Sequence, residues 1–280
     1  MIQSKSTASK FFKVVKYLFA AFIFVYCVFP FLWMLSTSFK SAEDVFHSPP
    51  KFITDHMSLE NYVNAIRENN LLLYLKNSLI ITLATVVLTI AIATLAAFAI
   101  GYLRLPGGEA LRKLLFLLQM LPSVVAIVPL FIVFGKMGLL NTHRGLIMAY
   151  LGGTVPVTVI LLVGFFDDIP KDIGEAAMID GCSIMKAFFH VILPVSIPGL
   201  VSSAIYTFIR VWQEFIMALS LTTSKSMYTL PIGLKAYEGS NQTDWGGLMA
   251  TAVVISVPAI ILFVAAQKQF IDSMSGSVKG

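Results

Sequence analysis

The chain has 280 residues, of which 57% are hydrophobic and only 12% are charged. A soluble domain carries about twice that share of charged residues, so the composition excludes an ordinary soluble or disordered protein and indicates an integral membrane protein. Two cysteines are too few for a disulfide scaffold. The net charge is +5, and most lysine and arginine residues lie in short segments between apolar runs. This distribution favours contact with a membrane surface over binding of nucleic acid.

Six apolar stretches are long enough to cross a bilayer as helices, which takes about 20 residues each. They cover residues 17–35, 78–99, 114–134, 146–166, 200–221 and 248–266. The sequence therefore predicts an all-α membrane domain of six spans over 17–269, with a short segment, 1–16, before it and a tail, 270–280, after it.

The orientation of these spans follows from the loops. Lysine and arginine are more numerous in the loops that lie inside when both termini are cytoplasmic, so we expect both termini to be cytoplasmic. The first stretch follows several lysines and can be read as a signal peptide or as an uncleaved span. Its length and the lack of a clean small-residue cleavage site favour the span.

The second long outer loop, residues 222–247, contains a polar run from 239 to 244. Such a run predicts a flexible tip, which either contacts a partner or only connects two spans. Its candidate contact residues are Gly239, Ser240, Asn241, Gln242 and Thr243.

The sequence contains no recognisable catalytic motif. It has no G-x-x-x-x-G-K-[ST], no H-E-x-x-H and no G-x-S-x-G, and its four histidines are scattered through loops. We therefore expect no catalytic residue, no metal site and no cofactor in this chain.

The loop at 167–194, between the fourth and fifth spans, predicts a helix–turn–helix on the cytoplasmic surface. Pro170 suits the first turn of a helix, and Gly181 suits its end, where a positive φ is wanted. Ser183 can cap a second helix that runs to Pro194. The first helix would have a small apolar face formed by Ile173, Ala176, Ala177 and Ile179. From the residues alone, that helix is either a solvated surface element or a docking surface, with Glu175 offered to a basic partner.

Two charged residues lie inside the predicted fifth span, Arg210 and Glu214. They can pair with each other at i and i+4, or they can line a translocation path together with Trp212 and Gln213. Pro122, Pro129 and Pro156 are expected to loosen the third and fourth spans.

The string Glu175-Ala176-Ala177, three residues, Gly181, nine residues and Val191-Ile192-Leu193-Pro194 resembles the EAA motif of ABC importer permeases. Three further fragments, in this order, resemble the maltose-type (MalG-like) sugar-uptake branch of that family: Asn77-Ser78-Leu79, Trp212-Gln213-Glu214-Phe215 and Thr229-Leu230-Pro231-Ile232-Gly233. The ending 276–280 is also similar to that branch.

The resemblance implies a division of labour. The EAA loop would dock on a separate cytoplasmic ATPase that binds ATP and Mg²⁺, with Glu175 pairing with a basic residue and Ala176 and Ala177 allowing close approach. Gly181 would make the turn between the two helices, and Asp180, Ser183 and Pro194 would also belong to the ATPase-coupling residues of this loop. The implied partners are a second permease, two ATPase subunits, an extracytoplasmic sugar-binding protein and membrane lipid, with no nucleic acid.

Two further contacts follow from the same resemblance. The tip at 239–243 would reach toward the binding protein's sugar cleft. The tail, with Gly276, Lys279 and Gly280, would reach the ATPase interface.

Three other functions stay open at this point. The chain can be a permease for a solute other than a sugar, because the EAA loop recognises the ATPase and not the cargo. It can be a secondary transporter with Glu214 as a proton-coupling acid. A membrane-embedded enzyme or assembly factor is weakened by the missing motifs.

Overall fold

The computed structural model describes the backbone of residues 4–239 and 242–276 and the side chains of residues 12–239 and 242–267. Within these ranges every regular element is a helix, and the β-type pairing consists of an isolated bridge between Glu238 and Thr243. The predicted all-α class is confirmed.

The α-helices follow the chain with short connections. They are α1 (Ser4–Thr37), α2 (Ala42–Val45), α3 (Glu60–Arg67), α4 (Leu71–Ala97), α5 (Gly108–Met120), α6 (Ile127–Met137), α7 (His143–Asp167), α8 (Lys171–Ile179), α9 (Ile184–Ala187), α10 (Leu193–Val195), α11 (Ile197–Trp212), α12 (Ile216–Leu221), α13 (Leu230–Gly233) and α14 (Trp245–Gly276). Two π-helical turns extend them, Phe98–Tyr102 after α4 and Phe188–Ile192 after α9. Three 3₁₀ turns complete the set, Ser123–Ala126, Lys225–Met227 and Leu234–Tyr237.

Four of the predicted spans are continuous helices in the described chain. The stretches long and apolar enough to cross a membrane are Phe12–Thr37, Leu71–Tyr102, His143–Asp167 and Trp245–Gln267. Two more stretches reach that length only as bent pairs of helices, which gives up to six spans if each pair is one span. The predicted third span is therefore broken, whereas the second bent pair, Ile184–Val195 with Ile197–Trp212, begins before the predicted fifth span and covers only its first part.

The break in the third span lies at Pro122. Leu121 is extended, with ψ 127°, because the ring of a following proline disfavours the α conformation. Helix α5 ends there, and the chain resumes through Ser123–Ala126 into α6 after a bend of 89°. Pro156, by contrast, lies inside α7 without ending it. Of the three prolines expected to loosen these spans, Pro122 lies at a sharp break, whereas Pro129 lies in the first turn of α6 and Pro156 inside α7.

The predicted fifth span, 200–221, is divided by its own polar residues. Helix α11 ends at Trp212 and α12 begins at Ile216. The Glu214 carboxylate accepts hydrogen bonds from the backbone N–H groups of Met217 (2.8 Å) and Ala218 (2.9 Å). A side chain that binds these first N–H groups starts a new helix there. At its other end α11 meets Ile184–Val195 at a bend of 73°.

The chain divides into two compact units. The larger consists of Leu71–Gly233 and Val257–Gly280. In its core α4 and the turn after it pack on α7, with Phe98, Val163 and Phe166 buried. Hydroxyl pairs link the same helices, since Thr89 and Thr154 lie 2.8 Å apart and Thr158 lies 3.2 Å from Thr207 on α11. Small hydroxyl residues let membrane helices approach closely and bond across their interface.

The smaller unit consists of Met1–Asn70 and Leu234–Ser256. The most hydrophobic stretch of α1 contains no buried residue, which suits a helix that contacts lipid or another subunit. After α1, Lys40 is buried, its Nζ donates to the Lys51 carbonyl (2.7 Å) and it lies over the Trp33 ring. Burial lowers the pKa of Lys40, while Asp44 partly offsets that shift.

Asn77, near the start of α4, forms hydrogen bonds with the loop before α13. Its amide donates to the carbonyls of Ser226 and Tyr228, both at 2.9 Å, and its Oδ1 lies 3.0 Å from His143 Nε2. Asn77 is buried, so a residue without these groups leaves the partners unpaired away from water.

We therefore expect Asn77→Ala to lower the free energy of unfolding by about 1–3 kcal/mol. Thermal unfolding of the protein in nanodiscs measures this as a midpoint several degrees lower. Asn64→Ala is the control, because Asn64 is an exposed residue of α3. Equal midpoints for the two variants would show that the Asn77 contacts do not stabilise the fold.

Candidate functional site

The segment after α7 folds as the predicted helix–turn–helix. Pro170 lies directly before α8, one position earlier than expected, with ψ 132°. Gly181 takes a left-handed conformation with φ 87° in the turn. The Ser183 side chain caps α9 by accepting from the Lys186 N–H at 3.4 Å. The turn is tied back to α8, since the N–H of Cys182 donates to the Ala177 carbonyl at 3.0 Å.

The residues predicted to form one apolar face of α8 are divided between its buried and its exposed side. Gly174 and Ala177 are buried and Ile173 is half-buried, whereas Ala176 is exposed and Ile179 is 85% exposed. The expected face of Ile173, Ala176, Ala177 and Ile179 is therefore wrong. The helix lies against the body of the larger unit at Gly174, which contacts the side chain of Tyr102.

The contact that holds α8 is unusually close. A Cβ at Gly174 would overlap the Tyr102 hydroxyl and lie 3.1 Å from Tyr102 Cζ. The same hydroxyl donates to the Lys171 carbonyl at 3.2 Å. Glycine is the one residue that permits this approach, so Tyr102 fixes both the position and the first turn of α8.

The second helix is held by aromatic packing. The buried Phe188 ring lies 4.4 Å from that of Phe98, and Phe98 stacks on Tyr102 at 5.5 Å. The two contacts thus join α8 and the turn after α9 to one core cluster. Pro194, at the predicted end of the second helix, is exposed on α10 just before the bend into α11.

The exposed face of α8 consists of Glu175, Ala176, Met178 and Ile179. Asp180 in the turn is also exposed. Within the described residues, Glu175 has no ion pair, whereas Asp167 at the end of α7 pairs with Arg112 (3.6 Å) and Arg104 (4.0 Å). Beyond the turn, Ile184 and Met185 are about half exposed and add apolar area. A carboxylate surrounded by small and apolar side chains can bind a basic group of another protein.

A second candidate site is a cavity of about 510 Å³ among α7, α11 and α12. The predicted residues Arg210, Gln213 and Glu214 line this cavity together. Trp212 does not line it, because this residue is only 3% exposed and its ring stacks on Phe208 at 5.3 Å. The prediction of Trp212 on a path surface is therefore not supported by the geometry.

Sequence reasoning missed part of the lining. Tyr150, Thr154 and Tyr206 face the same cavity, as does Ser123 at the broken third span. Tyr150 and Thr154 are four residues apart on α7, a spacing that places two polar side chains on one helix face. That spacing was the available signal within an otherwise apolar span.

The Glu214 carboxylate accepts three hydrogen bonds from its own chain. Its Oε2 accepts from the Tyr150 hydroxyl (2.9 Å) as well as from the Ala218 N–H, and its Oε1 accepts from the Met217 N–H. Among the ion pairs of the described residues, none joins Glu214 to Arg210. The expected i, i+4 pair is absent because the carboxylate is turned to cap α12.

The two remaining predicted sites are only partly described. Thr243 forms the isolated bridge with Glu238, Gln242 directly precedes it, and a Cβ at Gly239 would overlap the Gln242 carbonyl oxygen. Ser240 and Asn241 lie outside the described residues. Gly276 is the last residue of α14, and Lys279 and Gly280 lie outside the described residues.

Comparison with known sequences gives a consistent result. The family described as "binding-protein-dependent transport system inner membrane component" matches residues 90–276. The sulfoquinovosyl glycerol transport system permease protein of Agrobacterium fabrum is 35% identical over 275 residues, 97% of this chain and 96% of the relative. The trehalose/maltose transport system permease protein of Thermococcus litoralis is 34% identical over 260 residues, 91% of this chain and 93% of the relative.

A solved structure shares the fold. It is a chain of a bacterial ABC transporter involved in the import of the acidic polysaccharide alginate. The TM-score is 0.81 at 18% identity, and the match covers 94% of this chain and 98% of that chain. At this identity the likeness concerns the fold alone.

The contact between Gly174 of α8 and Tyr102 can be tested by substitution. Gly174→Ala should displace α8 from Tyr102 and speed tryptic cleavage after Lys171 and Lys186, because the added methyl overlaps the hydroxyl. Adding Tyr102→Phe should slow the cleavage again in part, since it removes the overlapping oxygen.

Gly164→Ala is the matched control, because a Cβ at Gly164 of α7 meets nothing within 4 Å. Cleavage rates that are the same for Gly174→Ala and for this control would contradict the close contact between Gly174 and Tyr102.

Proposed function

The chain belongs to the family of binding-protein-dependent transport system inner membrane components, and from this premise we propose that it is the permease subunit of an ATP-driven importer of a carbohydrate. The relatives support the cargo class, because the two named above are permeases of systems for sulfoquinovosyl glycerol and for trehalose and maltose. The matches cover nearly the whole of each relative, so the proposal concerns the whole chain.

The observation that carries the proposal is the exposed face of α8. It offers one unpaired carboxylate, Glu175, beside a small residue, Ala176, and two large apolar ones, Met178 and Ile179. We propose that this face docks on a cytoplasmic ATPase subunit, with Glu175 paired to a basic residue there. Apolar contacts around a central charge pair exclude water and strengthen the pair.

The proposed coupling follows from how α8 is held. Because Gly174 lies directly against Tyr102 and Phe188 against Phe98, a displacement of α8 is transmitted to the packed ends of α4 and α7. Tightly packed helices respond by discrete shifts instead of deforming locally. ATP and Mg²⁺ would bind in the ATPase, and this chain would contribute no catalytic group.

The remaining parts of the proposed assembly follow from the membrane topology. If each bent pair is one span, six spans put both termini on one side, which the loop charges indicate to be the cytoplasm. The tip at 239–243 would then face the extracytoplasmic binding protein, and the tail at 276–280 the ATPase. A second permease would cover membrane surface that this protomer leaves exposed.

We further propose that the cavity among α7, α11 and α12 belongs to the translocation path. Polar side chains at membrane depth normally face a protein interior or a wet cavity, because a charged one costs about 2.5–3.5 kcal/mol on insertion scales. Glu214 acts in this account as a helix cap and acceptor for Tyr150, not as a proton-coupling acid. A permease of the same family for a non-sugar solute is the remaining alternative, and cargo measurements distinguish it.

Charge reversal tests the docking face. In the importer purified through a tag on this chain from its own host, Glu175→Lys should lose most of the ATPase subunit while keeping the second permease. The reason is that the substitution places a like charge against a basic partner without touching the membrane core. Mass spectrometry of the purified complex measures how much of the ATPase subunit and of the second permease is retained, and the rate of ATP hydrolysis measures the ATPase subunit independently.

Glu68→Lys is the control, because Glu68 is exposed at the end of α3, outside the helix–turn–helix. It makes the same charge change and should leave the complex intact. If no subunit with a nucleotide-binding P-loop accompanies the unmodified chain, the importer assignment fails.

A further inference from the structure

The cavity among α7, α11 and α12 contains two kinds of polar group. Glu214, Tyr150 and Thr154 are satisfied within the chain, because Tyr150 donates to Glu214 at 2.9 Å and Thr154 donates to the Tyr150 carbonyl at 2.8 Å. Over the part of the chain that the structure describes, the side chains of Arg210, Tyr206, Gln213 and Ser123 make no hydrogen bond or ion pair. The polar side chains of this second group are therefore available to bind a ligand.

Arg210 is the charged residue of the second group. It is exposed in the last turn of α11, shortly before the break that separates this helix from α12. A guanidinium has five donors, no acceptor and a permanent charge, so it requires acceptors that bulk water cannot fully supply in a membrane cavity. The helix dipole at this end of α11 supplies part of that compensation but no full counter-charge.

The chain's own acid does not pair with Arg210 among the described ion pairs. An ionised carboxylate offers about four acceptor positions, and Glu214 uses three of them for Tyr150, Met217 and Ala218. Among the unengaged lining groups, Arg210 has donors only, whereas Tyr206, Gln213 and Ser123 each have both a donor and an acceptor, so the cavity has an excess of donors. A ligand that completes it is one that brings acceptors, and a planar oxyanion matches the guanidinium fork best.

We infer that this cavity contacts the solute directly and that Arg210 is a specificity-determining residue for a sugar that carries a carboxylate or a similar oxyanion. The inference rests on the proposed importer function and adds the charge of the cargo to it. Tyr206 supplies an aromatic face for the ring, and Gln213 and Ser123 can donate to and accept from hydroxyl groups. The cavity, at about 510 Å³, is within the usual range for small-ligand sites, about 300–1,000 Å³.

The test uses the whole importer in nanodiscs, with the second permease and the ATPase present. The probes are digalacturonate, which carries two carboxylates, and galactobiose of the same linkage, which carries none. The concentration of each probe that raises the thermal unfolding midpoint gives its apparent affinity. Three variants are compared with the unmodified chain: Arg210→Gln, Arg210→Lys and Arg144→Gln.

We expect digalacturonate to stabilise the unmodified importer at lower concentration than galactobiose. Arg210→Gln should lose that preference, with an affinity for digalacturonate at least about tenfold weaker, since a charge-assisted hydrogen bond is lost. Arg210→Lys should keep part of it, because the charge remains without the bidentate fork. Arg144→Gln, the same change at an exposed residue of α7 outside the cavity, should behave like the unmodified chain.

Several results would overturn the inference. They are equal affinities for the two probes, no stabilisation by either, or an unchanged preference in Arg210→Gln. Loss of the second permease from Arg210→Gln would show that the arginine pairs with an acid of that subunit instead. ATPase retained in all these samples leaves the proposed function standing, whereas its absence from the unmodified complex refutes that function separately.

Discussion

The contact between Gly174 and Tyr102 is the constraint on which the proposed mechanism depends. It brings the backbone of α8 against the π-helical turn that ends α4, with one hydrogen bond to the Lys171 carbonyl. Phe98 and Phe188 extend the same cluster into the second helix. A surface helix held in this way moves with the membrane helices beneath it, while its opposite face stays available to a partner.

The cavity in the larger unit arises from a second constraint, namely that a helix stops where polar side chains bind its backbone. Glu214 caps α12 and so separates it from α11, and Pro122 separates α5 from α6. Broken helices expose backbone and polar groups that lipid does not tolerate, so such breaks are found where protein or a wet cavity surrounds them. The two breaks bring Ser123 and Gln213 to the same cavity.

Local chemistry determined which features could be predicted from the sequence. The six apolar stretches, the positive φ of Gly181 and the cap at Ser183 depend on neighbouring residues. The family indicated by the resemblance around Glu175 is the one whose model matches residues 90–276. The buried face of α8 depends on Tyr102, far away in the sequence, and was predicted wrongly. The bends, the burial of Trp212 and the engagement of Glu214 by Tyr150 likewise arise from tertiary packing, which periodicity does not contain.

The central claim is that the exposed face of α8 touches an ATPase subunit, and proximity tests it most directly. Ile179→Cys, combined with Cys27→Ser and Cys182→Ser, places a single reactive thiol on the most exposed residue of that face. Labelled with benzophenone-4-maleimide in native membranes and irradiated, this chain should cross-link to a subunit that carries a nucleotide-binding P-loop, because the maleimide takes the single thiol and the excited benzophenone inserts into a C–H bond of the neighbouring protein. A thiol that reacts with free maleimide yet yields no such cross-link would contradict the account.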